Sequence, residues 1–154
     1  MLSSHEITEI EAEFGRYGQK RGACIEALKI VQRHRGWVSD ESLSDLADFL
    51  GMTVEDLDGV ATFYNLIFRK PVGRHVILVC TSVSCHVMGF EEVFEYLREK
   101  VGIGFGETTP DERFTLLPAV CLGACDLAPA MMVDGDLHGD LDPQKIDEIL
   151  DGYA

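Results

Sequence analysis

Positive charge is scarce in this sequence. Its 154 residues include 13 Lys and Arg against 27 Asp and Glu, a formal net charge of -14. Nucleic-acid binders neutralise the phosphate backbone with clustered Lys and Arg, so this balance argues against a DNA or RNA partner. The acidity is equally compatible with docking onto a basic protein face and with a role in solubility alone.

Long apolar runs are also lacking. No stretch approaches the roughly 20 apolar residues that a helix needs to cross a bilayer. Residues 1–14 do not have the basic region followed by an apolar region that marks a signal peptide. We therefore expect a cytoplasmic chain with no direct membrane insertion.

Cysteines are few, and their number is odd. The five thiols are poor candidates for structural disulfides in a reducing compartment, and one would remain unpaired in any case. Cys24 lies on the apolar face of a predicted helix, where we expect a buried, inert thiol. Metal or redox chemistry of the other four cysteines is therefore the first hypothesis to consider.

Residues 1–70 have the periodicity of helices almost throughout, with apolar side chains recurring every three or four positions. Helix start and stop signals recur along this half. They are Ser3 with Glu6, Gly15 with Gly18, Gly36, Ser39, Gly51, and Thr53 with Asp56. The pattern predicts three or four short helices packed as a bundle.

The pattern changes from Pro71 onwards, where residues 71–74 have the composition of a linker. Residues 75–79 (HVILV) are suited to a buried strand. Further signals follow: a helix after Gly89, strands at 113–117 and 130–133, a hairpin at Asp134-Gly135 and a helix start at Asp142-Pro143. We predict a helical arm over 1–70 and an α/β domain over 71–154.

Four cysteines form two pairs, Cys80-x4-Cys85 and Cys121-x3-Cys125, separated by 35 residues. Each pair follows a predicted strand, where a loop could turn both thiols inwards. Thiolates are soft ligands that hold iron in sulfide-bridged clusters, and a 2Fe-2S cluster needs four of them. The small residues between Cys121 and Cys125 would let backbone N–H groups approach the cluster sulfurs.

A structural zinc site is the main alternative, because four thiolates also satisfy tetrahedral zinc. Zinc sites use C-x2-C knuckles more often than these two spacings. A thioredoxin-type dithiol activity is weaker, because it uses C-x-x-C at a helix N-terminus. On spacing alone, an electron carrier and a zinc-stabilised interaction module without a redox role both remain open.

The sequences around the cysteines resemble a known family. VCTSVSCHVMG and VCLGACDLAPAMMV, together with ALKIVQRHRGWV, DGVATFYNLIFRKPVGRH and GETTPDERFTLLP, are similar to the thioredoxin-like 2Fe-2S subunit, known as the E subunit, of bacterial respiratory complex I. The resemblance covers nearly the whole chain. It implies a mixed α and β fold, with an N-terminal helical bundle followed by a thioredoxin-like 2Fe-2S ferredoxin domain.

The same resemblance implies the ligands and the cofactor. One 2Fe-2S cluster would be held by Cys80 and Cys85 on one iron and by Cys121 and Cys125 on the other, and no residue of the chain would be catalytic. FMN and NADH would lie on a partner flavoprotein subunit. The sequence is consistent with this division, because Gly102-x-Gly104-x-Gly106 has the wrong spacing and context for a dinucleotide-binding loop.

The resemblance also implies the enzyme complex to which the chain would belong. The chain would belong to the proton-translocating NADH-quinone oxidoreductase of the respiratory chain, on the cytoplasmic side of the inner membrane, and would exchange single electrons with the flavin of its partner. Soluble NAD-linked hydrogenases and formate dehydrogenases use related subunits and remain alternative settings. The isolated chain is not expected to oxidise NADH.

For other residues we make less specific predictions. His86 follows Cys85 and is expected outside the ligand set, because no second histidine accompanies the other pair. Pro129 stands where thioredoxin-like folds often place a cis-proline. Four aromatic residues are expected mainly in the core, with a docking surface as the alternative: Trp37, Phe63, Tyr64 and Phe68.

Overall fold

The computed structural model describes residues 1–153. The chain divides into two compact units, Met1–Pro71 and Val72–Ala154. We call them the helical unit and the sheet unit.

The helical unit contains four α-helices and one short 3-10 turn, Lys20–Ala23. The helices are α1 (Ser4–Tyr17), α2 (Cys24–Arg35), α3 (Asp40–Leu50) and α4 (Val54–Phe63). Their inward faces meet in one apolar core, and its largest fully buried side chains are Ile10, Leu28, Leu43, Leu46 and Leu57. The predicted bundle of short helices is confirmed.

The ends of these helices follow the sequence signals closely. Ser3 and Glu6 form the predicted capping box, in which each side chain accepts a hydrogen bond from the backbone N–H of the other residue. Gly51 ends α3 in a left-handed conformation, with φ at 68°. One prediction was only half correct, because Gly18 ends α1 whereas Gly15 remains inside the helix.

A buried ion pair joins the first two helices. The carboxylate of Glu6 is only 2% exposed, and the guanidinium of Arg35 donates to both of its oxygens at 2.7 and 2.8 Å. Hydrogen bonds from Arg35, and then from the backbone of Ser3, outweigh burial and lower the pKa of Glu6 to about 2. Arg35 also donates to the buried hydroxyl of Ser42, which extends the network to α3.

The expectation that the four aromatic residues lie mainly in the core was wrong for two of them. Phe63 is 80% exposed and Tyr64 is 42% exposed, and their rings pack edge to face against each other. Helix α4 ends at Phe63 and the backbone of Tyr64 is extended, so the helical spacing that suggested burial stops here. Trp37 and Phe68 are half-buried.

The sheet unit contains a five-stranded sheet in the order β2-β3-β1-β4-β5. Its strands are β1 (His75–Cys80), β2 (Glu107–Thr108), β3 (Phe114–Ala119), β4 (Met131–Val133) and β5 (Asp136–His138). Its helices are α5 (Val83–Val87), α6 (Phe90–Val101) and α7 (Pro143–Gly152), with a 3-10 turn at Cys125–Leu127. Strands β1 and β3 are parallel, and every other pair is antiparallel.

Most of the predicted elements of this unit are confirmed. The Asp134-Gly135 hairpin joins β4 to β5, and Asp142 caps α7 by accepting from the N–H of Lys145. Two elements were missed, β2 and α5. Two and five residues respectively are too short to establish a hydrophobic period.

The core of the sheet unit lies between the central strands and the longer helices. Strands β1, β3 and β4 contribute side chains such as Ile77, Leu116 and Met131, which are fully buried. Leu97 of α6 and Ile146 of α7 pack against the same core. This packing fixes the two central strands on which the cysteine segments depend.

Among residues 1–153, no helix combines the length and the apolar character needed to cross a membrane.

The Glu6 network predicts a pH-dependent stability. A carboxylate with a lowered pKa stabilises the fold above its unfolded pKa near 4.5, and this contribution disappears as the pH falls towards about 2. Glu6→Gln should therefore cost about 3 kcal/mol at pH 7 and clearly less at pH 3. Urea unfolding of the full chain, followed by the fluorescence of Trp37, measures this difference in the helical unit.

Glu11→Gln is the matched control, because Glu11 is an exposed glutamate of the same helix. It should change stability little at either pH. An equal loss for Glu6→Gln at pH 7 and pH 3 would contradict the assignment.

Candidate metal centre

The first cysteine of each pair lies at the end of a central strand. Cys80 is the last residue of β1, and Cys121 follows β3 by two residues. In the parallel register Cys80 is paired with Ala119, the last residue of β3. The backbone N–H and the hydroxyl of Thr81 both donate to the carbonyl oxygen of Ala119, at 2.8 and 3.0 Å. These bonds hold the two cysteine segments side by side.

The second cysteine of each pair lies on a short helical turn, whereas the sequence suggested a loop. Cys85 lies within α5, and Cys125 begins the 3-10 turn. The sequence around these cysteines has no helical periodicity that would predict the two short turns. Its small residues are the only signal.

Strand β4 closes a further side of the site. The N–H of Cys80 donates to the carbonyl of Ala130 at 3.1 Å. The Ala128–Pro129 peptide bond just before it is cis, which confirms the expectation for Pro129. Ala130 was not identified from the sequence as a residue of the site.

The pKa values of the two buried thiols are shifted in opposite directions. Burial raises the pKa of Cys80, but hydrogen bonds from the backbone N–H groups of Ser82 and Leu122 lower it. The thiols of Cys85 and Cys121 also act to lower it, so that its pKa lies below the ordinary value. Burial, followed by the bond to Cys80, raises the pKa of Cys85 to about 11.

The two cysteine pairs differ in their exposure to solvent. A negative charge on Cys125 acts on Cys85 and contributes to raising its pKa. Cys80 and Cys85 are buried, at 3% and 1% exposure, whereas Cys121 and Cys125 are exposed. The structure thus places the first cysteines of the two pairs on neighbouring segments, and it leaves one pair buried and the other exposed.

Backbone N–H groups are directed at the sulfurs. The N–H of Gly123 donates to the sulfur of Cys121 at 3.3 Å, and φ at Gly123 is 74°, a conformation that favours glycine. The N–H of Ala130 donates to the sulfur of Cys85. Together with the N–H groups on Cys80, these donors stabilise negative charge on three of the four sulfurs.

The other candidate side chains lie outside this group. Cys24 belongs to the helical unit, where it is half-buried and packs beside the apolar core, so full burial was not correct. His86 is exposed, its ring stacks on Phe90 at 4.9 Å, and its Nε2 atom lies 3.8 Å from Glu91. That His86 is not a ligand stays a prediction.

The donor set can be compared with two kinds of centre. No group of three or more His, Cys, Asp or Glu side chains within residues 1–153 is arranged to hold a metal ion. A 2Fe-2S cluster requires two thiolates on each of two irons and is stabilised by N–H groups that donate to sulfur. Two cysteine pairs lined by backbone donors have this chemistry, although their role as ligands stays a prediction.

Comparison with known protein families first defines the class of protein to which the chain belongs. The sequence profile of the thioredoxin-like 2Fe-2S ferredoxins matches residues 10–154. The chain therefore belongs to this family, and the fold predicted from the resemblance is confirmed.

Two particular relatives are similar to the chain over nearly its whole length. The chain is 50% identical over its whole length to the E subunit of NADH-quinone oxidoreductase from Pseudomonas aeruginosa, covering 93% of that protein. It is 52% identical to the same subunit from Escherichia coli, over 99% of this chain and 92% of the relative. The predicted resemblance to this component of an oxidoreductase complex is thereby confirmed.

A solved structure is similar to most of the chain. In an NAD+-reducing NiFe hydrogenase in the air-oxidised state, the matching region is 25% identical, with a TM-score of 0.69. The match covers 82% of this chain and 22% of the hydrogenase chain.

Thr81 is a further residue of the site that sequence reasoning missed, because a threonine after a strand carries no distinctive signal. Thr81→Val keeps its shape but removes the hydroxyl donor to Ala119, which should cost about 0.5–1.5 kcal/mol. Thr81→Ser keeps the donor and should cost less. Thermal unfolding of the cluster-free full chain measures both, and a serine variant as unstable as the valine variant would contradict this role.

Proposed function

We propose that the chain is an electron-transfer subunit that carries one 2Fe-2S cluster on Cys80, Cys85, Cys121 and Cys125. It exchanges single electrons with the flavin of an NADH-oxidising partner in an NADH-quinone oxidoreductase. The observation that carries the proposal is the parallel pairing of β1 with β3, which places the segments of Cys80 and Cys121 side by side. The family and its NADH-quinone oxidoreductase relatives support the identity of the cofactor.

When bound, the cluster supplies reversible one-electron chemistry that flavins can use and hydride carriers cannot. The protein's contribution is to hold four thiolates and to compensate their charge. Backbone N–H groups of Ser82, Leu122, Gly123 and Ala130 donate to sulfur. Such donors stabilise the more negative, reduced state and so raise the potential relative to an unlined site.

The proposed ligand pairs differ in exposure. We assign Cys80 and Cys85 to one iron and Cys121 and Cys125 to the other, as the family resemblance implies. The exposed pair would then lie nearer the protein surface and the electron donor. Exposed apolar side chains flank the cysteines along the chain and suit a protein contact: Val83, Val87, Met88 and Val120.

Charge supports a basic partner surface. Residues 72–154 contain 15 Asp and Glu against five Lys and Arg. This part of the chain therefore produces a negative field that attracts a basic face and speeds productive encounters. We propose that this face belongs to the NADH- and FMN-binding subunit, and that the chain lies on the cytoplasmic side of the membrane through the complex.

An NAD-linked hydrogenase is the second candidate setting, because the hydrogenase structure matches 82% of this chain. The higher identity to the NADH-quinone oxidoreductase relatives favours the quinone-linked complex. Purification of the native assembly distinguishes the two, since a nickel-containing partner would contradict the preferred setting.

The first test is an anaerobic visible spectrum of the purified chain before and after dithionite, with iron, zinc and acid-labile sulfide measured on the same sample. We expect a red-brown protein that bleaches on reduction and contains about two irons and two sulfides per chain. A colourless protein with about one zinc would instead identify a structural module.

Serine substitutions test the ligands one at a time. Replacement of Cys80, Cys85, Cys121 or Cys125 removes a soft thiolate, so each variant should lose or alter the paramagnetic signal of the reduced cluster. Cys24→Ser is the matched control and should leave the signal unchanged. Four unchanged spectra would refute the assignment.

Electron exchange with the partner requires a separate experiment. The isolated, loaded chain should not bleach when NADH is added, because it has no hydride acceptor. Addition of the NADH-oxidising flavoprotein subunit should permit bleaching by one electron per cluster. Bleaching by NADH alone would contradict the proposed division of roles.

A further inference from the structure

The residues that follow β5 contact the turn that carries Cys125. The N–H of Asp140 donates to the carbonyl of Leu127 at 2.6 Å. Leu127 ends the 3-10 turn that begins at Cys125, and its own N–H donates to the carbonyl of Ala124 at 3.1 Å. We call residues 139–141 the brace segment, because they hold the backbone just after Cys125.

The brace segment leaves no room for a side chain at Gly139, which is buried. A β-carbon added there would collide with the β-carbon of Leu127 and would lie 2.6 Å from its carbonyl oxygen. Non-bonded carbon atoms pack best at about 3.5–4.0 Å. Neither atom of Leu127 belongs to the flexible end of a side chain, so the turn itself would have to move. Gly139 does not adopt the left-handed conformation that favours glycine, so its small size is what the contact requires.

Two further hydrogen bonds fix the brace segment. The Nζ atom of Lys145, in the first turn of α7, donates to the carbonyl of Gly139 at 2.6 Å. The N–H of Leu141 donates to the carbonyl of Pro129 at 3.1 Å, and the side chain of Leu141 is buried in the core of the sheet unit. The brace segment is thus tied to α7, to the core and to the chain on the far side of the Cys125 turn.

We propose that Gly139 and Lys145 are positioning residues, which hold the turn of Cys125 in the place where this thiol can bind the cluster. The inference rests on the proposed function, because it takes Cys125 as a ligand. Gly139 acts by leaving room for Leu127, and Lys145 acts by holding the carbonyl of Gly139. Cys125 is exposed, so the packing of its own side chain contributes little to its position, and the contacts of its backbone must fix it instead.

Two substitutions with matched controls test these roles. Gly139→Ala should displace the turn at Leu127, whereas Gly152→Ala adds the same methyl group where nothing lies within 4 Å. Lys145→Met removes the donor to Gly139 but keeps the apolar part of the side chain, whereas Lys145→Arg keeps a donor. Lys145 is half-buried and its replacement adds no bulk to the core, so Lys145→Met maintains the test if Gly139→Ala does not fold.

Hydrogen–deuterium exchange of the full chain as purified tests the brace segment whether or not a cluster is present. In Gly139→Ala and Lys145→Met, the amides of residues 125–127 and 139–141 should exchange faster, because their hydrogen bonds open locally. The amides of β1 and β3 should keep their rates, and both control variants should match the unsubstituted chain. An equal rise across the whole sheet unit, or no rise at the turn, would overturn the inference.

The cluster-loaded chain tests the consequence for Cys125. Substitution of residues that hold a ligand in place typically costs 10–100-fold in metal affinity. Gly139→Ala should therefore release iron to a chelator at least about tenfold faster than the unsubstituted chain, and it should alter the paramagnetic signal of the reduced cluster. Lys145→Met should change both quantities in the same direction, and Lys145→Arg should restore them. Unchanged iron release and an unchanged signal, in variants whose turn exchanges faster, would refute the positioning role.

A failure of the proposed function gives a different result. The unsubstituted chain would then contain no iron or acid-labile sulfide, or Cys125→Ser would leave the paramagnetic signal unchanged. Hydrogen–deuterium exchange would still decide whether Gly139 and Lys145 hold the turn of Cys125.

Discussion

The parallel pairing of β1 with β3 is the constraint on which the chemistry of the sheet unit depends. Parallel strands end at the same edge of a sheet, so residues that follow them are neighbours although they are far apart in sequence. Here the register pairs Cys80 with Ala119, and Cys121 follows two residues later. The hydrophobic burial of Ile77 and Leu116 in the same two strands therefore also fixes the position of two thiols.

The helical unit depends on an apolar core together with one buried ion pair. Its core is apolar, but the buried carboxylate of Glu6 is held by Arg35 and by the N–H of Ser3. Charge buried in this way is costly unless every acceptor is satisfied. The exposed rings of Phe63 and Tyr64 show that this unit also leaves part of its apolar surface uncovered.

Much of this architecture could be predicted from the sequence, because its signals are local. Capping residues such as Ser3, Ser39 and Asp142 act within one helical turn, and the continuous apolar run HVILV is typical of a central strand buried on both faces. The contacts of the site are not local. Thr81 with Ala119, and Cys80 with Ala130, depend on strand register, which sequence spacing does not determine. The four cysteines could be proposed as ligands from the sequence because thiol chemistry limits what four of them can do and because the surrounding sequence resembles a known family.

The difference in exposure between the two cysteine pairs connects the rate of electron transfer with the lifetime of the redox centre. Electron transfer between proteins weakens steeply with distance, so a redox centre benefits from having one side near the surface. The same open side admits oxygen and chelators to Cys121 and Cys125, while the strands shield Cys80 and Cys85. In the proposed site, a substitution that covers the exposed cysteine pair would lengthen the lifetime of the redox centre. The same substitution would slow electron exchange with a partner. Only a partner that itself covers this side removes the conflict, so durability becomes a property of the assembled complex.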